Sequence, residues 1–63
     1  MLNIPKKLIT LKEVIALTGL SRSTIYKYIS TREFPQQIPI GERSVRWEDG
    51  EIQSWIKKKI ELR

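Results

Sequence analysis

The chain contains no cysteine and no histidine. Without cysteine, neither a disulfide framework nor a thiolate metal site can stabilise the fold. Without histidine, the commonest general base and the commonest zinc ligand are missing as well. The remaining carboxylates, lysines and tyrosines form no pattern typical of a reactive pocket. We therefore expect a protein that is not an enzyme and that needs no cofactor and no metal.

The chain is also short, with 63 residues. This length holds one small domain and leaves no room for a second. A domain of this size buries only about 60% of the surface that its unfolded chain exposes. It has difficulty enclosing a ligand cavity of about 300 Å³, so no small-molecule ligand is expected.

Long apolar stretches are absent too. None approaches the roughly 20 residues that span a bilayer, and none of signal-peptide length follows residues 1–7. The sequence therefore predicts a cytoplasmic protein without a membrane partner.

Negative charge is scarce in this chain. Twelve Lys and Arg residues face seven Asp and Glu residues, which gives a net charge of +5. The usual partner of a small basic domain is a polyanion, either nucleic acid or an anionic membrane, and of these two nucleic acid is the partner expected here. The apolar share of 40% is enough for a globular fold and too high for a disordered tail.

The first helix is predicted over residues 11–18. Thr10 and Glu13 have the spacing of a capping box, in which each side chain accepts a hydrogen bond from the other residue's backbone N–H. A helical stripe of apolar residues follows, formed by Leu11, Val14, Ile15 and Leu17. Gly19 ends the helix, because glycine readily takes the left-handed conformation found at helix ends.

A second helix is predicted over residues 22–31, with Ser21 as its N-cap. Its inward face consists of Ile25, Tyr28 and Ile29. Two helices joined by a short turn that contains glycine form a helix-turn-helix.

The next segment, residues 37–47, is predicted to form a β-hairpin with its turn at residues 41–43. The alternating pattern places Ile38, Ile40, Val45 and Trp47 on the inner face, and Ser44 and Arg46 on the outer face. Pro39 lacks a backbone N–H and must therefore lie where the strand is unpaired.

A third helix is predicted over residues 48–61, with acids in its first turn and lysines near its end, which is the charge order that the helix dipole favours. Its apolar face consists of Ile52, Trp55, Ile56 and Ile60, and both tryptophans are expected in the core. The fold class is α+β and mainly helical: a small winged helix-turn-helix of three helices and a two-stranded wing, with a possible short strand near residue 8. We expect residues 1–7 to be a flexible arm and residues 8–63 to form the domain.

The outer face of the second helix is the main candidate for DNA contact. Residues at the start of a recognition helix reach base edges in the major groove, and arginine can bond guanine O6 and N7 together. Arg22 is therefore the expected base contact. The hydroxyl groups suit phosphate, and Lys27 suits either a phosphate or a base. The full set on this helix is Ser21, Arg22, Ser23, Thr24, Tyr26 and Lys27.

The hairpin adds Arg43 at its turn and Arg46 on its outer face, and arginine suits a narrow minor groove beside the recognition helix. Glu42 in the same turn weakens this interpretation, since a surface ion pair is the alternative. The run Lys57–Lys59 is better explained as a complement to the helix dipole.

Four stretches together resemble the AlpA family of prophage regulators, which is related to excisionases and, more distantly, to MerR-type winged helices. They are LKEV at 11–14 with LTGLSRSTIYK at 17–27, FP at 34–35, GERSVRW at 41–47, and EI and WI at 51–52 and 55–56. The resemblance covers about residues 8–60. The sequence departs from the family pattern in two places: residues 30–33 lack the glycine that often precedes Phe-Pro, and Gln36-Gln37 stands where a basic residue is common.

The resemblance implies a sequence-specific binder of double-stranded DNA in a prophage or mobile element. It would act as a transcriptional regulator, as an excisionase-type recombination directionality factor, or as both, and would be nucleoid-associated when bound. A phage-type integrase is then a possible partner. Since one reading helix contacts few base pairs, further copies of the chain on the DNA are expected. The alternative is a small interaction module that binds a partner protein, a regulator or a recombinase, instead of DNA.

Overall fold

A computed structural model describes residues 6–63. Three helices and three short strands follow one another in the order β1, α1, α2, β2, β3, α3. Their bounds are Leu8–Ile9 for β1, Leu11–Thr18 for α1, Arg22–Ser30 for α2, Ile38–Pro39 for β2, Val45–Glu48 for β3 and Asp49–Leu62 for α3. As the sequence predicts, the fold is α+β and mainly helical, consistent with a small winged helix-turn-helix.

Local signals set the ends of α1. The capping box is confirmed: the Thr10 Oγ1 accepts from the Glu13 N–H at 3.2 Å, and the Glu13 carboxylate accepts from the Thr10 N–H at 3.0 Å. At the other end, Gly19 takes a left-handed conformation with φ of 73° and donates its N–H to the Ile15 carbonyl at 2.8 Å. The helix therefore stops where the sequence predicts.

The second helix also begins as predicted. The Ser21 Oγ accepts from the Thr24 N–H at 3.2 Å and so caps the helix. Its end lies one residue earlier than predicted, because Thr31 leaves helical geometry with ψ of 2° and serves as the C-cap. The predicted turn thus joins α1 to α2, which gives the two-helix arrangement of a helix-turn-helix.

The three strands form one antiparallel sheet in which β3 is central and β1 and β2 are the edges. Ile9 pairs with Trp47 across one side of β3, and Pro39 pairs with Val45 across the other. The short N-terminal strand is therefore confirmed. Pro39 lies on an edge strand, where its missing N–H leaves no gap in the ladder.

The predicted inner face of the hairpin is wrong for β2. Ile38 pairs with Arg46, and directly opposed residues of an antiparallel pair point to the same face. Ile38 therefore lies on the face of Arg46, opposite that of Trp47, while Ile40 is 49% exposed. The register that the alternating pattern predicts for β2 is wrong by one residue, and a slip of one residue exchanges the two faces of a strand.

The core is built from residues of nearly every element. Ile9, Val14, Ile25, Phe34, Trp47 and Ile52 are buried. Trp47 is wholly buried, and its indole N–H donates to the Pro35 carbonyl at 3.2 Å. Trp55 is only half-buried; it packs edge-on against Phe34 with ring centroids 4.8 Å apart and donates its N–H to the Glu33 carbonyl at 2.8 Å. Trp55 thus covers the edge of the core instead of filling its centre.

The expected arm, residues 1–7, falls largely outside the described residues, which begin at Lys6. Both Lys6 and Lys7 are exposed, and the Lys7 carbonyl accepts a hydrogen bond from the Asp49 N–H at 2.9 Å. None of the helices within residues 6–63 combines the length and the apolar character that crossing a bilayer would require.

The capping box predicts a pH dependence of stability. Hydrogen bonds from the backbone and the side chain of Thr10 hold the pKa of Glu13 below its ordinary value of 4.5, with a smaller contribution from the charges of Lys7 and Arg46. A lowered folded-state pKa stabilises the fold above the unfolded-state value, and this contribution is lost as the pH falls below about 4.5. We expect the melting temperature, measured by circular dichroism, to fall between about pH 7 and about pH 3. The fall should be smaller in Glu13→Gln than in the unmodified chain.

The matched control is Glu61→Gln, which removes an exposed carboxylate in the last turn of α3. It should keep the full acid sensitivity of the unmodified chain. An equal acid sensitivity in Glu13→Gln and Glu61→Gln would contradict the assignment to the capping box.

Candidate nucleic-acid interface

The exposed face of α2 begins at its N-cap. Ser21, Arg22, Ser23 and Lys27 are exposed, and the inward position is taken by the buried Ile25. No acid occurs between residues 21 and 32. This face therefore offers cations and hydroxyl groups to a partner without a nearby carboxylate on the same helix.

Arg22 rests on an aromatic stack that reaches the core. Its guanidinium lies 5.8 Å from the centre of the Tyr26 ring, a cation–π distance. The Tyr26 ring in turn meets the buried Trp47 edge-on, with centroids 6.5 Å apart and planes at 71°. Because Trp47 belongs to β3, the stack ties the position of Arg22 to the sheet, and Tyr26 is half-buried instead of projecting freely.

Two of the hydroxyl groups predicted for phosphate contact are already engaged in the cap of α2. The Ser21 Oγ accepts from the Thr24 N–H, and its own hydroxyl donates to the Thr24 Oγ1 at 2.9 Å. Thr24 is half-buried, whereas Ser23 is exposed. Ser23 is thus the hydroxyl on this turn that is most open to a partner.

The two arginines of the hairpin differ in their surroundings. Arg43 is exposed in the bend between β2 and β3. Arg46 is half-buried, and its guanidinium donates to the Val45 carbonyl at 2.8 Å. It also lies close enough to lower the pKa of Glu13. Arg43 is therefore the more accessible of the two cations.

The C-terminal end of α2 carries a cation that sequence analysis did not include. Arg32 is exposed and has a left-handed backbone with φ of 61°. The absence of a glycine between residues 30 and 33 was the available signal, because Arg32 adopts the conformation in which helices commonly place glycine. The end of α2 is thus followed at once by a further exposed positive charge.

The lysines of α3 form a separate group. Lys57, Lys58 and Lys59 are exposed, and the Lys59 ammonium lies 5.4 Å from the centre of the Trp55 ring. Their position in the last turns of α3 agrees with the expected complement to the helix dipole. Within the described part of the chain, no group of three carboxylates could hold a metal ion.

Comparison with known proteins connects this arrangement to a family. The sequence profile described as prophage CP4-57 regulatory protein (AlpA) matches residues 7–60. A protein of Enterobacteria phage P4 described as "Uncharacterized protein ORF88" is 40% identical over 55 residues, covering 87% of this chain and 62% of the phage protein. The chain thus spans less than two thirds of that relative's length.

A second relative is matched over most of its length. The "DNA-binding transcriptional activator AlpA" of Escherichia coli (strain K12) is 31% identical over 62 residues, which covers 89% of each protein. The chain therefore belongs to the AlpA family of prophage regulatory proteins, as its motifs predict.

Proposed function

We propose that this chain is a non-enzymatic, sequence-specific binder of double-stranded DNA that regulates transcription in a prophage or another mobile element. The observation that carries the proposal is the exposed, acid-free face of α2 with Arg22 at its start. Membership of a family of prophage regulators supports it. The Escherichia coli relative, whose name describes a DNA-binding activator, supports the same function.

In this mechanism α2 enters the major groove with its N-terminal turn toward the base edges. Arg22 donates two hydrogen bonds to one guanine, and the Tyr26 ring beneath it limits the orientations of the guanidinium before DNA arrives. Ser23 and Lys27 donate to phosphates, which position the helix without reading sequence. Ser21 and Thr24 act mainly by holding the first turn, which aims its backbone N–H groups at the DNA.

The wing contributes contacts outside the major groove. Arg43, exposed in the bend, approaches the adjacent minor groove or its phosphates. Arg46 lies in β3, which follows the bend that holds Arg43. Its half-buried guanidinium donates to the Val45 carbonyl and also adds positive charge to the wing. The domain that performs this binding is residues 8–63, preceded by a basic arm that includes Lys6 and Lys7.

One recognition helix reads too few base pairs to select a single site in a genome. We therefore propose that several copies of the chain bind side by side on the same DNA. This binding takes place in the cytoplasm, at the nucleoid. The relation of the family to excisionases adds a second role at such a site, in which the bound protein directs a phage-type integrase toward excision. Recombination with purified integrase, with and without this chain, tests that role.

The salt dependence of binding tests the core of the proposal. If four cations replace counterions on DNA, the logarithm of the binding constant falls linearly with the logarithm of the salt concentration. The slope is then about −3.6, from about −0.9 per phosphate contact. Fluorescence anisotropy with a duplex selected from a random library, at several salt concentrations, measures this slope. A scrambled duplex of the same length and composition is the control and should bind more weakly at every salt concentration.

Two results would count against the proposal. Equal affinity for selected and scrambled duplexes would remove sequence specificity. A slope near zero, together with a protein partner that stays bound at moderate salt, would favour the interaction-module alternative, because protein interfaces depend less on counterion release than phosphate contacts do.

A further inference from the structure

The backbone of Arg32 is unusual for an arginine. Among residues 6–63 it is the one residue other than glycine with a positive φ, at 61°. Its N–H donates to the Ile29 carbonyl at 3.1 Å, and the Glu33 N–H donates to the Tyr28 carbonyl at 2.8 Å. This pair of bonds is the Schellman motif, whose left-handed position is usually glycine because a Cβ is sterically disfavoured there. The chain thus tolerates a strained arginine where glycine would stabilise the fold.

The guanidinium of Arg32 is not needed to close the helix end. An arginine near a helix C-terminus can stabilise it by donating to the last carbonyls. Here those carbonyls already accept bonds from other side chains: Ser30 Oγ to the Lys27 carbonyl at 2.7 Å, Thr31 Oγ1 to the Tyr28 carbonyl at 3.2 Å, and Gln36 Nε2 to the Ile29 carbonyl at 3.2 Å. These contacts hold the strained turn in place and leave the guanidinium available for another role.

The position of Arg32 relative to Arg22 suggests that role. From Arg22 to Ser30, α2 extends about 12 Å along its axis at about 1.5 Å per residue, and Arg32 follows two residues later. The major groove is about 12 Å wide. If Arg22 reaches base edges inside the groove, the far end of α2 lies at one of the two strands that border it. An exposed guanidinium there meets phosphate oxygens, which it can bind with two hydrogen bonds.

We infer that Arg32 is a DNA contact of this chain: its guanidinium binds a backbone phosphate at the wall of the major groove, at the end of α2. The inference rests on the proposed function and adds to it a contact outside the predicted set. It also gives a physical reason for the strained backbone, since strain is commonly retained where a side chain serves binding.

A competing role comes from the carboxylates around Arg32. It borders a surface groove that is also lined by Glu33, Glu48 and Glu51. Glu48 is already engaged as the N-cap of α3, where its carboxylate accepts from the Gly50 N–H. Ion pairs with the exposed Glu33 or Glu51 would contribute little to stability. The two roles predict opposite changes in the melting temperature when Arg32 is replaced: a DNA contact with a strained backbone predicts a rise, and a stabilising ion pair predicts a fall.

The test is Arg32→Gly, with thermal unfolding of the free protein and DNA affinity measured on the same samples. We expect the melting temperature to rise by about 2–8 °C because the strain is relieved. The affinity for the selected duplex should fall by about 5- to 10-fold at about 0.1 M salt, and the salt slope should lose about 0.9 in magnitude. Arg32→Lys, which keeps the charge, should retain most of the affinity and the slope.

The charge-matched control is Lys57→Gln on α3, which should leave the affinity within about 2-fold and the slope nearly unchanged. An equal loss of DNA affinity in Lys57→Gln would show that Arg32 acts only through the net positive charge of the protein, and this would overturn the inference. So would an unchanged affinity in a stabilised Arg32→Gly. A lower melting temperature in Arg32→Gly would assign Arg32 to the carboxylates. In these three cases the unmodified chain still binds DNA, whereas absence of specific binding by that chain overturns the proposed function as well.

Discussion

Replacement of Arg22 by alanine is expected to weaken binding to the selected duplex by about 1–3 kcal/mol and to abolish the preference for guanine at one position. Arg22 is exposed at the start of α2 and stacks on Tyr26, so the expected loss comes from the DNA contact and not from the fold. Binding of the variant to a set of duplexes that carry each of the four bases at every position in turn measures both effects.

The result has two internal controls. Lys57→Ala removes the same charge from α3 and should leave base preference unchanged. The melting temperature of Arg22→Ala should stay within about 3 °C of that of the unmodified chain, because the side chain is exposed. If Arg22→Ala instead weakens binding to every duplex equally, Arg22 is a phosphate contact and another residue reads the base.

Replacement of Trp47 by alanine should remove a large share of the free energy of unfolding. The side chain is wholly buried, it pairs across the sheet with Ile9, and its N–H bonds the Pro35 carbonyl. Removing a buried tryptophan costs about 3–5 kcal/mol, whereas a domain of this length has roughly 3–9 kcal/mol in total, at about 0.05–0.15 kcal/mol per residue. Circular dichroism during heating should show a transition that is much lower in temperature and broader than that of the unmodified chain.

The control for Trp47→Ala is Leu62→Ala, which truncates an apolar side chain that is 79% exposed near the end of α3. Its melting temperature should stay close to that of the unmodified chain, since exposed substitutions cost about 0.5 kcal/mol or less. A sharp transition in Trp47→Ala within about 3 °C of the unmodified chain would refute the central role of Trp47. Trp47→Ala should also weaken DNA binding, because Trp47 supports Tyr26 and through it Arg22.

The family assignment reached from the motifs is confirmed. Both ends of the first helix and the start of the second were also predictable, because they depend on residues that are close in sequence. The Thr10–Glu13 capping box, the Ser21 cap and the Gly19 stop each depend on hydrogen bonds or backbone angles within about four residues. Neighbours in sequence are sufficient to determine such features. The start of α2 could therefore be located correctly, and with it the exposed face that carries the candidate contacts.

The packing around the candidate contact residues could not be predicted from the sequence. The sequence predicts a phosphate contact through the Tyr26 hydroxyl, but it does not show that the Tyr26 ring lies between Arg22 and Trp47. Twenty-one positions separate Tyr26 from Trp47, so no local pattern reports their contact. Arg32 lies outside the predicted set, because the missing glycine between residues 30 and 33 does not by itself show which residue takes the left-handed conformation.

By itself the sequence determined which segments are helical, where α1 and α2 begin, that the chain is basic, and which family it resembles, because these properties depend on residue types and short spacings. Only the tertiary structure decided the register that turns Ile38 away from the core, the half-buried state of Trp55 and the stack beneath Arg22. Each of these depends on which distant segments meet. In strands of two residues the alternating pattern is too short to select one pairing over the next.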